Sequence, residues 1–297
     1  MPKNKKILIT GAGGQLARAF VEKLEKEGVP CRAEQFRSLD ITDPERLEEV
    51  LDEVRPGVVL NCAAYNRVDE AENSREQAFR VNSDAVRHMA RLCNTRKIFL
   101  VHFSSDYVFD GTQGTVYKEE DRPNPVNVYG ASKLAGEKSV PEEMKDYLVF
   151  RLSWVFGEGE NNFLSKLEGW DQEKGMLKIA SGETSSPSYT RDIAEMVMLA
   201  LHKSLRGLYH LCNSGFCARY EWARYYFHLK NKDIKPVLSS PLILPARRPA
   251  FSAMSNEKLS AALNVRIPDW QDAVKRFVEG SMKTQIPSNP SMRSQKI

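Results

Sequence analysis

The chain has 297 residues, and its formal net charge of +4 at pH 7 comes from 43 Lys and Arg against 39 Asp and Glu. These charges are intermixed without a basic block, so the composition gives no argument for a nucleic-acid or membrane-surface partner. The four-residue run 7–10, before the first glycine, is too short for a signal peptide or a membrane span. The sequence therefore predicts a cytoplasmic protein.

The chain has five cysteines, an odd number. They include no C-x-x-C pair, and no histidine lies nearby at metal-ligand spacing. We therefore expect reduced, mostly buried thiols, and we assign no metal site. The five are Cys31, Cys62, Cys93, Cys212 and Cys217.

The first half of the chain alternates short β-rich runs with amphipathic stretches of helical periodicity. This pattern predicts an α/β protein with a Rossmann-type, doubly wound parallel sheet. The predicted strands cover residues 6–10, 30–34, 58–62, 98–103 and 147–152, and the predicted helices cover 15–26, 44–54 and 74–92.

The alternation loosens after about residue 153, where prolines are frequent and predicted helices cover 190–202, 219–229 and 269–283. We expect residues 1–152 to form an NAD(P)-binding domain, to which some later segments return. Residues 153–280 should form mainly a smaller, mixed α/β substrate-binding lobe. The polar, proline-containing segment 281–297 is expected to be a flexible tail.

The first predicted strand ends in a glycine-rich turn that leads directly into a predicted helix. Gly11 suits the tight-turn dihedrals, Gly14 lets backbone N–H groups approach a pyrophosphate, and Ala17 allows close helix–strand contact. Two glycines at such a turn also occur without a ligand, and the position at the first βα junction is what favours a dinucleotide. The cofactor contacts predicted in this turn are Gly11, Gly13, Gly14, Gln15 and Leu16.

The end of the second predicted strand normally sets the choice between NAD and NADP, because an acidic residue there holds the ribose 2′-hydroxyl. Glu34 could serve, but Gln35 and Arg37 lie nearer the expected position. An Arg can pair with a 2′-phosphate, so the sequence favours NADPH, with NADH as the alternative if Arg37 is only a surface charge. Asp40 and Ile41 are expected at the adenine.

Tyr129 and Lys133 are four residues apart, which puts a phenol and an ammonium group on one helical face. A neighbouring cation should lower the pKa of the phenol from its free value of about 10 and ease proton exchange. Y-x-x-x-K is common by chance, but here an apolar strand upstream ends in Ser104-Ser105-Asp106 and can bring a hydroxyl to the same cleft. We expect Ser105 to bind a substrate carbonyl beside Tyr129, and Ser104 to cap the following loop.

With these motifs the chain resembles the dTDP-4-dehydrorhamnose reductase family of the extended short-chain dehydrogenase/reductase superfamily. The similarity runs from residue 6 to about residue 278, and it is more specific for the family than for one substrate. The segments that carry it are Gly14-Gln15-Leu16, Asn61-Cys62-Ala63-Ala64-Tyr65, Val68-Asp69, Ala71-Glu72, Val81-Asn82, Ser104-Ser105-Asp106-Tyr107-Val108-Phe109-Asp110-Gly111, Pro125-Val126-Asn127-Val128-Tyr129-Gly130, Ser132-Lys133-Leu134, Gly136-Glu137, Ser153-Trp154-Val155-Phe156, Asn161-Asn162-Phe163, Gly207-Leu208-Tyr209-His210-Leu211 and Arg248-Pro249.

The resemblance implies reduction of the 4-keto group of a dTDP-linked 6-deoxy-hexulose to dTDP-L-rhamnose, with NADPH or NADH as hydride donor. It implies that Tyr129 donates the proton, that Lys133 binds the nicotinamide ribose, and that Ser105 replaces the family's usual Thr. It also implies that Trp154 faces the sugar and that Arg248 reaches the diphosphate. A homodimer is compatible with the family. The implied cofactor contacts include Ala63, Ala64, Tyr65 and Asn82, and the implied substrate contacts are Ser105, Asp106, Val108, Trp154, Asn162 and Arg248.

Two departures from the family pattern bear on the cofactor. Ala17 stands where a third glycine is usual, which is conservative in size. Gln35 stands where many members have an acid, which leaves the cofactor preference open.

Three other functions share parts of this pattern. A sugar dehydratase would need a second carboxylate after Asp106, where this chain has Tyr107. A 4-epimerase would use the same Tyr–Lys pair but retain its cofactor through both half-reactions. The regulatory β subunit of methionine adenosyltransferase shares the segment 104–111 without catalysing a reduction; Trp154 and the segment 161–163 favour the reductases.

Overall fold

The structure is a computed structural model that describes residues 6–159, 162–170, 176–180, 182–232, 235–239 and 244–284. Residues 285–297 of the predicted tail lie outside the described residues, whereas 281–284 belong to the last helix. The strands are β1 (Ile7–Thr10), β2 (Cys31–Glu34), β3 (Val58–Asn61), β4 (Phe99–Ser105), β5 (Tyr147–Leu152), β6 (Val155–Phe156), β7 (Met176–Ala180), β8 (Thr184–Ser185), β9 (Ser188–Tyr189), β10 (Gly207–His210), β11 (Cys217–Ala218) and β12 (Lys235–Ser239). The α-helices are α1 (Gln15–Lys26), α2 (Pro44–Val54), α3 (Val68–Ala71), α4 (Arg75–Phe79), α5 (Ala85–Thr95), α6 (Val128–Glu143), α7 (Phe163–Trp170), α8 (Thr190–His202), α9 (Arg219–Leu229), α10 (Glu257–Leu263) and α11 (Trp270–Thr284).

The central sheet has six parallel strands in the order β10-β5-β4-β3-β1-β2, which confirms the predicted doubly wound fold. From β1 the chain builds outward to β2 on one side and through β3 to β10 on the other. This reversal opens a crevice at the carboxyl ends of β1 and β3, where ligands of such sheets bind. The predicted glycine turn lies at this point.

Alternate residues of the strands pack on opposite faces of the sheet. In β1, Ile7 and Ile9 join a core with α1 and α8, while Leu8 packs with α2 and α5 on the other face. A third apolar cluster, which includes Phe156 and Trp222, forms the core of the second lobe. Although both follow residue 153, β10 joins the first sheet and α8 packs against it, so the chain crosses between the two cores more than once.

The predicted helix 74–92 is not continuous. Between α4 and α5, residues Arg80–Asp84 form a π-helical turn, and a 3.6-residue periodicity cannot reveal one extra residue in a turn. The turn pushes the carbonyl of Asn82 against α6, where a Cβ on Gly136 would lie 1.9 Å from that oxygen. Only a glycine fits there.

No helix among the described residues is long and apolar enough to cross a lipid bilayer.

Gly11 should be sensitive to substitution for two separable reasons. Its φ of +67° is unfavourable for a residue with a side chain, and a Cβ would lie 2.7 Å from the backbone nitrogen of Ala63. Gly28 has a similar φ of +64°, but a Cβ there meets nothing within 4 Å. We expect Gly28→Ala to lower the free energy of unfolding by about 1–2 kcal/mol, and Gly11→Ala by roughly 1–3 kcal/mol more.

Urea denaturation of both variants measures this difference. Equal losses for Gly11→Ala and Gly28→Ala would contradict the close approach of the turn to the end of β3.

Candidate active site

A cavity of about 330 Å³ opens at the carboxyl ends of β1, β3, β4 and β5. Residues from the glycine turn, from the segment after β3, from the end of β4 and from α6 meet in it. Ten of the predicted site residues line this cavity: Gly14, Gln15, Leu16, Ala63, Ala64, Ser105, Asp106, Tyr129, Lys133 and Trp154.

A second cavity of about 610 Å³ adjoins the first along the glycine turn. It extends past the end of β2, where Phe36 is 73% exposed. Since the two cavities share Gly14, Ala63 and Ala64, they form one elongated crevice. The predicted site residues in this second part are Gly11, Gly13, Gly14, Arg37, Asp40, Ile41, Ala63, Ala64 and Tyr65.

Tyr129 lies in the first turn of α6, which begins where Asn127 Oδ1 accepts a hydrogen bond of 2.7 Å from the backbone N–H of Gly130. The phenol packs edge-on against Tyr107, with ring centroids 5.8 Å apart. Burial raises the pKa of Tyr129 to about 12, while its hydrogen bond with Ser105 acts in the other direction. The sequence predicted a lowered pKa; here desolvation outweighs that effect, and the phenol keeps its proton at pH 7.

Lys133 lies one turn after Tyr129 and is only 3% exposed. Burial lowers the pKa of its ammonium group to about 8, and the nearby carboxylate of Glu137 opposes this shift. Glu137 in turn accepts two hydrogen bonds, of 2.6 and 3.0 Å, from the buried guanidinium of Arg151. At pH 7 the amine therefore still carries a positive charge beside the phenol.

The carboxyl group of Asp106 lies at the base of the cavity and accepts hydrogen bonds from three serine hydroxyls. Ser105 donates to Oδ1 at 3.2 Å, while Ser185 and Ser252 donate to Oδ2 at 3.1 and 2.6 Å. Ser105 Oγ also accepts from the backbone N–H of Tyr107 at 3.1 Å. Burial raises the pKa of Asp106, and the hydroxyls of Ser252, Ser185, Ser153 and Ser105 oppose that shift.

Asn82 does not line either cavity; it connects one wall of the crevice to α6. Its Oδ1 accepts from the backbone N–H of Tyr65 at 2.9 Å, and its Nδ2 donates to the carbonyl of Tyr65 and to Ser132 Oγ, both at 3.0 Å. The resemblance implies a cofactor contact at Asn82, but in the structure its polar atoms instead hold Tyr65, which lines the second cavity, and Ser132 in α6.

Three predicted substrate contacts lie elsewhere. Val108 is fully buried in an apolar cluster with Phe109, because the chain turns inward after Asp106. Asn162 caps α7, accepting from the backbone N–H of Ser165 at 3.0 Å. Its amide nitrogen donates to two carbonyls at the preceding bend, so its polar atoms bind the chain itself.

Arg248, the third, forms a bidentate pair with Asp69 at 2.7 and 2.8 Å and also donates to the carbonyl of Ala246. It does not line the first cavity, although its charge acts on the phenol of Tyr107, which does.

Sequence reasoning missed several residues of the crevice. Asn61 lines the first cavity, where its side chain accepts from Thr10 Oγ1 at 2.7 Å and contacts His102 Nδ1 at 3.2 Å. Burial holds the pKa of His102 well below its ordinary value, so its ring is neutral. Arg67 lines the second cavity together with Arg37. The alternation of polar with apolar residues at the strand ends could have identified Asn61 and His102, but no local pattern marks Arg67.

The described residues contain no group of three or more His, Cys, Asp or Glu side chains that could hold a metal ion.

A parallel sheet with a glycine turn at its crevice, and a Tyr–Lys pair beside a strand-end serine, define an oxidoreductase of the extended short-chain dehydrogenase/reductase class. The comparisons agree. A family model described as the RmlD substrate binding domain matches residues 5–282. A dTDP-4-dehydrorhamnose reductase of Burkholderia thailandensis is 36% identical over 290 residues, which cover 91% of this chain and 96% of that relative.

Solved structures give the same result. The crystal structure of a dTDP-4-dehydrorhamnose reductase of Bacillus anthracis, in complex with NADP, has a TM-score of 0.88 and 33% identity and covers 93% of this chain and 99% of its own. A UDP-glucose 4-epimerase of Thermus thermophilus, 22% identical with a TM-score of 0.79, shares the fold. The chain belongs to the dTDP-4-dehydrorhamnose reductase family.

The burial of Lys133 should reduce the stability of the folded protein. Because its folded pKa of about 8 lies below the ordinary 10.5, the folded state holds the proton more weakly than the unfolded chain. Lys133→Met should therefore raise the free energy of unfolding at pH 7, by roughly 2–3 kcal/mol. This gain should shrink as the pH rises from 8 to 10.5, because wild-type Lys133 is then neutral in the folded state.

Urea denaturation at pH 7 and pH 10 measures the effect, with Lys138→Met, an exposed position on the same helix, as control. A gain that does not depend on pH, or a loss at pH 7, would show that the Lys133 ammonium is well solvated.

Proposed function

We propose that the protein uses NADPH to reduce the 4-keto group of a nucleotide-diphospho-6-deoxy-hexulose, with dTDP-4-dehydro-L-rhamnose as the substrate and dTDP-L-rhamnose as the product. One observation carries the proposal: Ser105, Tyr129 and Lys133 line a single cavity that adjoins the crevice of the glycine turn. Membership of the dTDP-4-dehydrorhamnose reductase family supports the choice of sugar.

The residues of the crevice fit a dinucleotide. A Cβ on Gly13 would meet nothing within 4 Å, so the turn leaves room on its cavity side. Gly14 is the N-cap of α1 and has no side chain to occupy the first backbone N–H groups of that helix, which remain suited to a pyrophosphate. When bound, NADPH supplies the hydride.

The chain's own residues supply the proton and hold the developing charge. Tyr129, protonated at pH 7, donates its proton to the oxygen of the 4-keto group as that oxygen becomes an alkoxide. The ammonium of Lys133 stabilises the phenolate that remains and binds the nicotinamide ribose. Ser105 positions the carbonyl, and its own orientation is set by Asp106 and by the N–H of Tyr107.

In this proposal Trp154 faces the sugar and Arg248 binds the diphosphate. The bonds of Arg248 to Asp69 and Ala246 leave its Nε–H and one Nη2 hydrogen for that role. Residues 1–152 hold the dinucleotide and 153–280 mainly the nucleotide sugar. The five cysteines, which form no disulfide, suit a cytoplasmic location. The homodimer stays a prediction.

A reduction assay tests the proposal directly. With NADPH and a dTDP-4-keto-6-deoxy sugar, the absorbance of NADPH should fall in step with formation of a 4-hydroxy product. Tyr129→Phe should lower the turnover rate by roughly 10²–10⁴ because the general acid is lost, about 3–5 kcal/mol of transition-state stabilisation. Tyr147→Phe, a phenol on β5 outside both cavities, is the matched control and should retain full turnover.

Other outcomes would favour other functions. An epimerised 4-hydroxy sugar without net oxidation of NADPH would indicate a 4-epimerase. If calorimetry detects no binding of dTDP or any other nucleoside diphosphate at millimolar concentration, the nucleotide-sugar proposal fails and a regulatory role without catalysis gains support.

Cofactor preference is expected to depend on Arg37. Glu34, which could hold a ribose hydroxyl in NADH, is buried and bound by Arg32, and it does not line the cavity, whereas Arg37 is exposed and does. Arg37→Ala should weaken binding of NADPH far more than of NADH, by about 1–3 kcal/mol. Arg67→Ala is the matched control, because Arg67 lines the same cavity but is paired with Glu70 at 3.0 Å.

Fluorescence titration with NADPH and with NADH measures the two affinities. Equal losses for NADPH and NADH in Arg37→Ala, or a larger selective loss in Arg67→Ala, would exclude Arg37 as the group that binds the 2′-phosphate.

A further inference from the structure

Trp154, which lines the first cavity, has an unusual backbone and an unusual neighbour. Its φ of +39° lies in the left-handed region, which a bulky residue adopts only when its surroundings enforce it. The guanidinium carbon of Arg219 lies 3.8 Å from the centroid of its indole ring. A cation at this distance is held by the ring's electron density.

Arg219 is fixed from several sides. The pairing of β8 with β11 places it beside Glu183, whose carbonyl accepts its backbone N–H and whose carboxylate lies 3.4 Å from its Nε. Its guanidinium also lies 4.9 Å from the ring centroid of Phe163 and 5.8 Å from that of Trp222. An arginine that contacts three rings and a carboxylate has little freedom to move.

These distances tell which face of the indole is occupied. Trp222 is nearly parallel to Trp154, at 13°, with ring centroids 5.5 Å apart. Groups on opposite faces of one ring lie roughly 7 Å apart, because each contact takes about 3.5 Å. Since Arg219 and Trp222 are only 5.8 Å apart, both lie on the same face of Trp154. The opposite face is the one that remains to line the cavity.

We propose that Arg219, held by Glu183, is a positioning residue that fixes the indole of Trp154 with its opposite face toward the sugar of the bound nucleotide sugar. The inference rests on the proposed function for the identity of that ligand. The contribution of the sugar to binding then depends on Arg219, although Arg219 itself need not touch the substrate. The nucleotide part should not depend on it.

The test separates the sugar from the nucleotide. Calorimetry in the presence of NADP⁺ compares dTDP with dTDP-glucose, which has a 4-hydroxyl group and cannot be reduced. Arg219→Met should weaken the binding of dTDP-glucose by about tenfold and leave the binding of dTDP unchanged. Arg219→Lys, which keeps the cation, should retain most of the affinity for dTDP-glucose. Arg224→Met, on the exposed side of the same helix, is the matched control and should change neither ligand.

A spectroscopic arm and a double variant test the route through Trp154. Arg219→Met should change the tryptophan fluorescence, and most of this change should disappear when Trp154 is already Phe, because Arg219 lies closer to Trp154 than to Trp222. In a protein that already carries Trp154→Phe, Arg219→Met should cause no further loss of affinity for dTDP-glucose, because both substitutions remove the same contribution of the indole to sugar binding.

Additive losses in the double variant, equal losses for dTDP and dTDP-glucose, or native affinity in Arg219→Met would overturn the proposal. If the native protein binds neither ligand, the proposed function fails, and the fluorescence comparison alone decides whether Arg219 fixes Trp154.

Discussion

The hydrogen bonds of the buried Asp106 carboxyl join parts of the chain that are far apart in sequence. They connect the end of β4 with Ser185 in β8 and with Ser252 in the segment before α10. A carboxyl group in this position is unfavourable unless its oxygens are bonded, so each of the three hydroxyls stabilises both the group and the contact between the lobes. The orientation of Ser105 depends on the Asp106 carboxyl group. So does the position of β8, which in turn places Arg219 beside Glu183.

Burial also sets the charges of Tyr129 and Lys133. The same exclusion of water that keeps the Tyr129 phenol protonated weakens the hold of Lys133 on its proton. Glu137 keeps enough negative potential near Lys133 to leave the amine charged at pH 7, and Arg151 holds Glu137 in place. The site therefore combines a neutral acid with a neighbouring cation, which is the arrangement that protonation of an alkoxide requires.

Much of the fold was predictable because its signals are local: the bounds 15–26, 44–54, 190–202 and 219–229 coincide with helices of the structure. That the glycine turn, Ser105, Tyr129 and Lys133 meet in one crevice was predictable because their residue types and spacing suit one hydride-transfer site. The sequence did not reveal the pairing of Arg248 with Asp69, 179 positions away, or the contact of Arg219 with Trp154. Such partners are chosen by tertiary packing, and an arginine gives no sequence signal of whether it will bind a ligand or a carboxylate.

The π-helical turn Arg80–Asp84 has a consequence for how this region can change in length. The wide turn absorbs one extra residue locally, so removing that residue would restore a regular α-helix and leave the orientation of α5 about its axis nearly unchanged. The apolar face of α5, with Val86, Met89 and Cys93, would stay packed on the sheet, but the bulge that brings the carbonyl of Asn82 against Gly136 would be lost. The core of the fold therefore tolerates loss of the extra residue, whereas the crevice wall does not, because Asn82 links Tyr65 to Ser132 of α6 from within this turn.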